Sequence, residues 1–470
     1  MQDNLSLSDY VGVYVFMEKI KIGPERVDIT RLDAGDVNEP AITGGYIVKK
    51  DKADATDQTI RTSRGHTLAC QSGGKDLTTA QKAWIQAYIN EFESALYGRN
   101  FTDPVRGYAQ YIDADSFIDH HILVELAKNI DGFRISTYMF KERGGKLKMG
   151  PVWDYNLSLG NANYLEGWQA LGWYNRLLSP GDYPWWRRLF EDPAFRRRYA
   201  DRWFALRQEQ FTQERLLGRI DEYALLLDEA QARNFERWRI LGSYVWPNWF
   251  IADSFDQEIV WMKAWLSDRL TWMDAQIGKE YAAPGPILSP AGGHVEPGTT
   301  LSLHANTGTI YYSLDGTDPI EGQGGRSRSV SVYSAPLTLK RSTLIKSRSL
   351  SNNQWSALSV GSFSVGPVAE SLRITEIMYH PQDPNTEFVE LTNIGKMPIN
   401  LQWVQFTRGI EYSFPDLELQ PHDFVLVMRD IHAFMALYGS DLPVAGQYAG
   451  SLNNQGEILE MRDATGALLS

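Results

Sequence analysis

Apolar and polar positions alternate near the start of the chain. Val11, Val13, Val15 and Met17 interleave with Gly12, Tyr14, Phe16 and Glu18, which predicts a strand over Tyr10 to Ile20. Gly45 to Lys50 reads as a second, shorter strand. The period then lengthens. Asp76-Leu-Thr-Thr-Ala-Gln81 carries a capping signal and starts a helix that runs to about Tyr97-Gly98. Asp115 to Asn129 is a further helix, with Phe117, Ile118, Leu123, Val124 and Leu126 as its apolar positions. Ile135 to Lys141 and Lys146 to Val152 form a hairpin about Gly144-Gly145. Helical spacing dominates from about Trp185 to Lys279.

Beyond that point the period falls to two. Short runs at 299–304, 309–314, 344–350 and 359–365 are separated by turn signals, with Asp315-Gly316 predicted as a tight hairpin turn. The same texture continues at 372–378, 387–393, 404–406 and 424–428. Ala282-Ala-Pro-Gly-Pro286 and Val365-Gly-Pro-Val368 punctuate these changes, because proline cannot continue a helix or a central strand. The fold class expected is therefore α+β: a helix-rich domain over 1–281, then two antiparallel β-sandwich modules over 282–366 and 367–470.

Composition narrows the function. The 470 residues are 43% hydrophobic and 22% charged, which is ordinary for folded domains. A net charge of −12 lacks the basic footprint of non-specific nucleic-acid binding. No apolar run approaches the ~20 residues of a membrane span, and the opening residues do not read as a secretory signal. Cys70 is the one cysteine, so no internal disulfide can form. The 15 Trp, 23 Tyr and 19 Phe suit either packed cores or sugar-stacking surfaces.

Several stock motifs are excluded. Ser72-Gly-Gly-Lys75-Asp76 lacks the leading glycine of a P-loop and places Asp76 where a hydroxyl should meet magnesium. His120 and His121 are adjacent on a helix, so their side chains diverge by about 100° and cannot chelate one ion together. The informative pair is Asp131 and Asp154, 23 residues apart and flanking the 135–152 hairpin. A hairpin brings its own ends together, so the two carboxylates can converge. Hard oxygen ligands of this kind suit Mg²⁺ beside substrate phosphates, and an acid, a hairpin and a second acid is the layout of a kinase phosphoryl-transfer site. Spacing alone leaves a second reading open, in which Asp131-Gly132 is a turn and Asp154 a cap.

Asn129-Ile-Asp131 followed by Trp153-Asp154-Tyr155-Asn156-Leu157 resembles the CotH (spore coat protein H) family of atypical kinases. Tyr10-Val-Gly12-Val-Tyr14 through Glu18, Gly44-Gly-Tyr46 through Asp51, and Asp192-Pro-Ala-Phe195 through Tyr199 extend the likeness over roughly 8–275. The resemblance implies an ATP- and divalent-metal-dependent protein kinase. Asp131 would be its catalytic acid, Asp154 would hold Mg²⁺ (or Mn²⁺) with Asn156 as second ligand, and Glu18 would lie on a hinge-like strand near the adenine. Asn156 stands where many members have Asp, which lowers the charge of the metal site. The family's domain is also expected to begin upstream of residue 1, which would leave this chain without its phosphate-clamping strands and inactive alone.

Pro286-x-x-Ser289-Pro290 and Tyr311-Tyr-Ser-Leu-Asp315-Gly-Thr-Asp318-Pro319 resemble a chitobiase/β-hexosaminidase C-terminal domain. Leu372 to Tyr379, Glu387 to Asn393 and Phe414-Pro415 resemble a lamin-tail domain, expected to lack its closing strand. Together these imply an exported, extracellular or cell-surface protein acting on protein or cell-surface targets. A non-catalytic adhesion scaffold and a polysaccharide-binding accessory remain open beside it.

Overall fold

The computed structural model describes residues 7–52, 57–72, 77–322 and 324–469. It divides into two compact units, Met1–Ala282 and Ala283–Ser470. The first is helix-rich around one small sheet and the second is built from mainly antiparallel strands, so the class is α+β.

The sheet of the first unit contains β1 (Tyr46–Lys50), β2 (Thr59–Arg61), β3 (Thr67–Gln71), β4 (Thr137–Lys141) and β5 (Leu147–Met149). Its order is β2-β3-β1-β4-β5, with every pair antiparallel. Tyr46, Ile47 and Val48 make β1 the buried centre, and Val48 pairs with Cys70 on β3 and Met139 on β4. The chain enters β1 through Gly44, where an added Cβ would sit 2.0 Å from the Arg143 backbone nitrogen, so no larger residue fits. The β4–β5 hairpin is the one predicted from Gly144-Gly145.

The helices are α1 (Thr79–Tyr97), α2 (Ala114–Ala127), α3 (Trp186–Leu189), α4 (Pro193–Gln208), α5 (Gln213–Arg237) and α6 (Phe255–Glu280). Thr78 and Gln81 close a capping box on α1, and Asp113, Asp192 and Ser254 cap α2, α4 and α6. That box is the capping signal predicted within Asp76–Gln81; the Gly73–Asp76 stretch of the rejected P-loop lies outside the described residues. Phe117, Phe133, Tyr183, Trp185, Trp186 and Tyr199 fill the space beside α2. His121 is fully buried between the Tyr183 and Tyr199 hydroxyls, and His120 bonds the Gly132 carbonyl at 2.8 Å. Burial holds the His120 pKa down to about 4. The histidine pair is structural.

The predicted strand over Tyr10 to Ile20 does not form. Val11, Tyr14, Val15 and Phe16 are 70–99% exposed, and no described strand pairs with the segment. Alternation indicates a chain able to pair; it does not supply an edge. Strands β2 and β3 were not expected, because Thr59, Arg61, Thr67 and Gln71 dilute their apolar signal.

In the second unit, residues 287–289, 299–304 and 337–339 form one layer, and 293–295, 309–313, 331–332, 343–351 and 359–365 the other. Leu301, Leu303, Ile310, Ile345 and Phe363 meet between them. Asp315-Gly316 is not a hairpin turn: 309–313 pairs with 331–332 and 343–351, while Asp315 accepts the Thr317 N–H in a local turn. Tyr311 packs edge-on against Trp355, whose Nε1 donates to Gly324 O, so these rings serve internal packing. In the last module, 372–378, 388–393, 424–428 and 444–447 face a second sheet across Val389, Leu391, Val427, Phe406 and Met461. Glu387 is buried there, bonded to Arg429, Tyr448 and the Leu452 N–H, and anchors the module's core.

Candidate active site

Helix α2 ends at Lys128, which takes the left-handed conformation (φ 47°) and directs the chain out of the helix. Lys128 is fully buried and spends its ammonium on the Gln169 and Leu171 carbonyls at 2.9 and 3.0 Å. Burial lowers its pKa to about 8, with Arg269 adding to the shift. The next three residues therefore leave α2 in a fixed direction.

Asn129 is also fully buried and joins the two halves of the site. Its Nδ2 donates to the Asp154 carbonyl at 3.1 Å, and its Oδ1 accepts the Asp131 N–H at 3.2 Å. Backbone bonds from Leu159 N to Ala127 O (2.7 Å) and from Ile130 N to Leu157 O (3.4 Å) zip the same segments together. Gly132 is required beside Asp131, since a Cβ there would meet Val124 Cγ2 at 2.7 Å.

Asp131 and Asp154 are thus brought to one place. Asp131 is 9% exposed; its carboxylate has Arg134 at 3.7 Å. Burial pushes its pKa up, Arg134 pulls it back, and the Asp154 charge pushes it up further. Asp154 is exposed, sits at φ +60°, and accepts the Ser136 hydroxyl at 3.2 Å. Ser136 is itself at φ +54°. Two non-glycine residues in this sparsely populated region, in contact with each other, mark backbone held in place by its surroundings.

Asn156 is exposed, with its backbone carbonyl taken by Asn161 Nδ2 at 3.2 Å. Glu18 is exposed on the unpaired 10–20 segment and forms an ion pair with Arg26 at 2.5 Å, which lowers its pKa. It does not lie on a strand. Asn129, Ser136 and Lys50 escaped sequence reasoning as site residues. Lys50 Nζ bonds the Phe133 carbonyl at 3.3 Å and also the Arg134 carbonyl; burial lowers its pKa to about 8. The Asn-x-Asp spacing was the available signal for Asn129. Ser136 and Lys50 carry none, because polar residues at strand ends are commonplace.

Among the described residues no group of three or more His, Cys, Asp or Glu is gathered for a metal. The oxygens of Asp131 and Asp154 nevertheless fit Mg²⁺, which commonly takes one or two protein carboxylates and completes its shell with phosphate and water.

A family model described as CotH kinase protein matches residues 4–273. The chain belongs to the CotH kinase protein family. The CotH match covers α1 to α5, most of α6 and both candidate acids. A lamin tail domain model matches 367–470, and an Fn3-associated model matches 300–363. The middle module is thus Fn3-associated by this comparison, and its chitobiase-type likeness rests on sequence resemblance alone. No curated protein matches the chain.

Ionised Asp131 should cost the CotH domain stability. A carboxylate with a raised folded pKa binds its proton more tightly folded than unfolded. Stability therefore falls as pH rises from about 4, the unfolded value, through the raised folded value. Asp131→Asn should be at least as stable as the parent at pH 7 and should flatten that part of the pH profile. Urea denaturation at a series of pH values measures this. A variant less stable than the parent at neutral pH would contradict it.

Proposed function

We propose that the first unit transfers a phosphoryl group from a nucleoside triphosphate to a hydroxyl on a protein or cell-surface target, as an atypical kinase. The joining of the Asp131 and Asp154 segments through Asn129 carries this reading. Asp154, with Asp131 beside it, would hold a divalent cation (Mg²⁺ or Mn²⁺), which neutralises phosphate charge when bound. Asp131 orients the acceptor hydroxyl and accepts its proton, a role suited to a carboxyl whose pKa is raised by burial. Ser136 and Asn129 fix the Asp154 loop, so little reorganisation is left for the reacting complex. The family architecture, with Fn3-associated and lamin tail modules behind the CotH domain, supports placement outside the cell or at its surface. Among the described residues no helix is long and apolar enough to cross a membrane.

Calorimetric titration of the full chain with ATP, with and without Mg²⁺ or Mn²⁺, tests the proposal. Metal-dependent binding is the result this reading requires and would set aside the expectation that the chain is inactive alone; its absence would favour a second reading. That reading is a non-catalytic surface scaffold. The observation in its favour is the exposed 10–20 segment, which places Glu18 on no strand and in an ion pair with Arg26.

A further inference from the structure

In the lamin tail module, residues 372–378 form the end strand of their sheet and pair on one side with 388–393. Among the described residues no backbone hydrogen bond ties 373–379 to any other element. Such an edge is a row of unmet donors and acceptors, a template for another strand.

Register decides what the edge offers on each face. Leu372 and Ile374 point into the sandwich core. Without interruption the two-residue period would carry Glu376 in after them. A bulge between Ile374 and Glu376 prevents this. Beyond it the core face passes to Ile377, opposite buried Val389, while Glu376 and Met378 stand on the outer face opposite Glu390 and Phe388. Thr375 joins that outer face, donating to Glu390 at 2.7 Å.

Ile377 is turned toward the core yet is 44% exposed, and Tyr379 beyond it is 49% exposed. The two line a cavity of about 350 Å³ whose other wall includes Leu452, Asn454, Glu457 and Leu459. Residues 453–458 of that wall are all exposed, so the cavity opens to solvent beside the free edge. A strand laid on the edge would bring alternate side chains over the cavity and cover apolar surface that now faces water. A bulge and a charge also serve to keep an edge unpaired, but that role gives no reason for an open apolar cavity against Ile377 and Tyr379.

Charge selects the occupant. On the outer face Glu376 and Glu390 stand directly opposite each other, an unfavourable like-charge pair. Arg373, on the same face, is spent on the Ala369 and Leu372 carbonyls. Glu457 is the one charged residue lining the cavity, and no lysine or arginine lines it. A lysine or arginine on an added strand relieves the Glu376–Glu390 pair. A second copy of this chain, pairing edge to edge, adds carboxylates to carboxylates, and a net charge of −12 opposes the approach.

We propose that the 372–378 edge takes up an extended segment of a partner protein by strand addition, with apolar side chains over the cavity alternating with lysine or arginine opposite Glu376. Backbone bonds supply the affinity and the alternation supplies the choice of partner. Strand addition here is independent of phosphoryl transfer in the first unit.

Fluorescence anisotropy of the full chain at low salt, with a labelled peptide of alternating valine and lysine matched in length to 372–378, tests the proposal. Saturable binding is expected. A serine–lysine peptide, which lacks the apolar face, should bind at least about threefold more weakly. A valine–lysine peptide methylated at every backbone nitrogen, which keeps the side chains and loses the donors, should not bind. Two variants at exposed positions read the two faces. Ile377→Thr keeps the branched strand former and should weaken binding about two- to fivefold. Glu376→Lys should weaken it about two- to tenfold and admit a valine–glutamate peptide that the parent rejects. Absence of saturable binding would overturn the proposal, and so would equal binding of the methylated peptide or indifference to both variants. A concentration-dependent dimer of the parent that Ile377→Thr abolishes would overturn it too, because the edge would then belong to a second copy.

Discussion

Asp154→Asn should abolish metal-dependent ATP binding and lower phosphoryl transfer by about 10² to 10³ or more, the scale of losing a main electrostatic contact to a reacting phosphate. Asparagine is the informative replacement. Asp154 sits at φ +60°, a region that Asp and Asn tolerate better than other side chains with a Cβ. Asp154→Ala would remove the charge and also add backbone strain, so a loss there has two causes. Asp154→Asn keeps the shape, the left-handed preference and an oxygen for the Ser136 hydroxyl, and removes the charge alone. Asp131→Asn should behave differently. It should retain nucleotide binding and lose turnover, because its contribution falls in the transition state. Calorimetry and labelled-phosphate transfer, run side by side, read the two effects. An Asp154→Asn protein that binds Mg²⁺ and ATP like the parent would remove Asp154 from the metal site.

Arg269→Met should destabilise the first unit by about 3–5 kcal/mol, the usual cost of leaving one member of a buried ion pair alone. Arg269 and Glu125 are both fully buried and bonded at 2.9 Å. Arg269 also donates to the Glu125 backbone carbonyl at 2.9 and 2.7 Å, to Ala170 O at 2.9 Å and to Gly172 O at 2.7 Å. Glu125 in turn accepts the Tyr174 and Asn175 N–H groups at 3.0 and 2.8 Å. The pair thus ties the last turn of α2, whose carbonyls lack helical partners, to α6 and the 170–175 loop. Arg269→Lys should not rescue, since a single ammonium cannot reproduce a planar fork spread over four acceptor groups. Urea midpoints followed by tryptophan fluorescence report the change. Combining Arg269→Met with Glu125→Leu should cost less than the sum of the single losses. A loss below about 1 kcal/mol for Arg269→Met would show that this pair adds no more than a surface one.

The 135–152 hairpin was legible because its signals are local: alternation on either side of Gly144-Gly145. The hairpin showed that Asp131 and Asp154 can converge, and the family resemblance was needed to choose that over a turn and a cap. The strands at 299–304, 359–365, 372–378 and 424–428 match their predicted limits for the same reason. Reading failed where an outcome depends on distant chain. The 10–20 segment has strand texture, yet among the described residues no strand pairs with it, and Tyr10 packs against Trp238 and the Ala230 carbonyl instead. The ties made by Asn129 and Arg269 depend on residues 25 and 144 positions away. The cavity beside Ile377 is assembled from 377–379 and 452–459, segments with no shared pattern. Exposed and packed tryptophans also look alike in sequence: Trp186 is core and Trp246 is surface.

Cys70 lies in β3, one residue from its end, 4% exposed and paired with Val48, and burial pushes its thiol pKa up to about 12. A thiol so protonated and so covered is inert toward alkylating and disulfide reagents while the sheet is closed. It becomes reactive when β1 and β3 part. The chain therefore carries a native clock for opening of the sheet to which the site hairpin belongs. The rate of thiol labelling in excess reagent reports how often that sheet breathes, and ligand-induced slowing of labelling reports binding without any introduced probe.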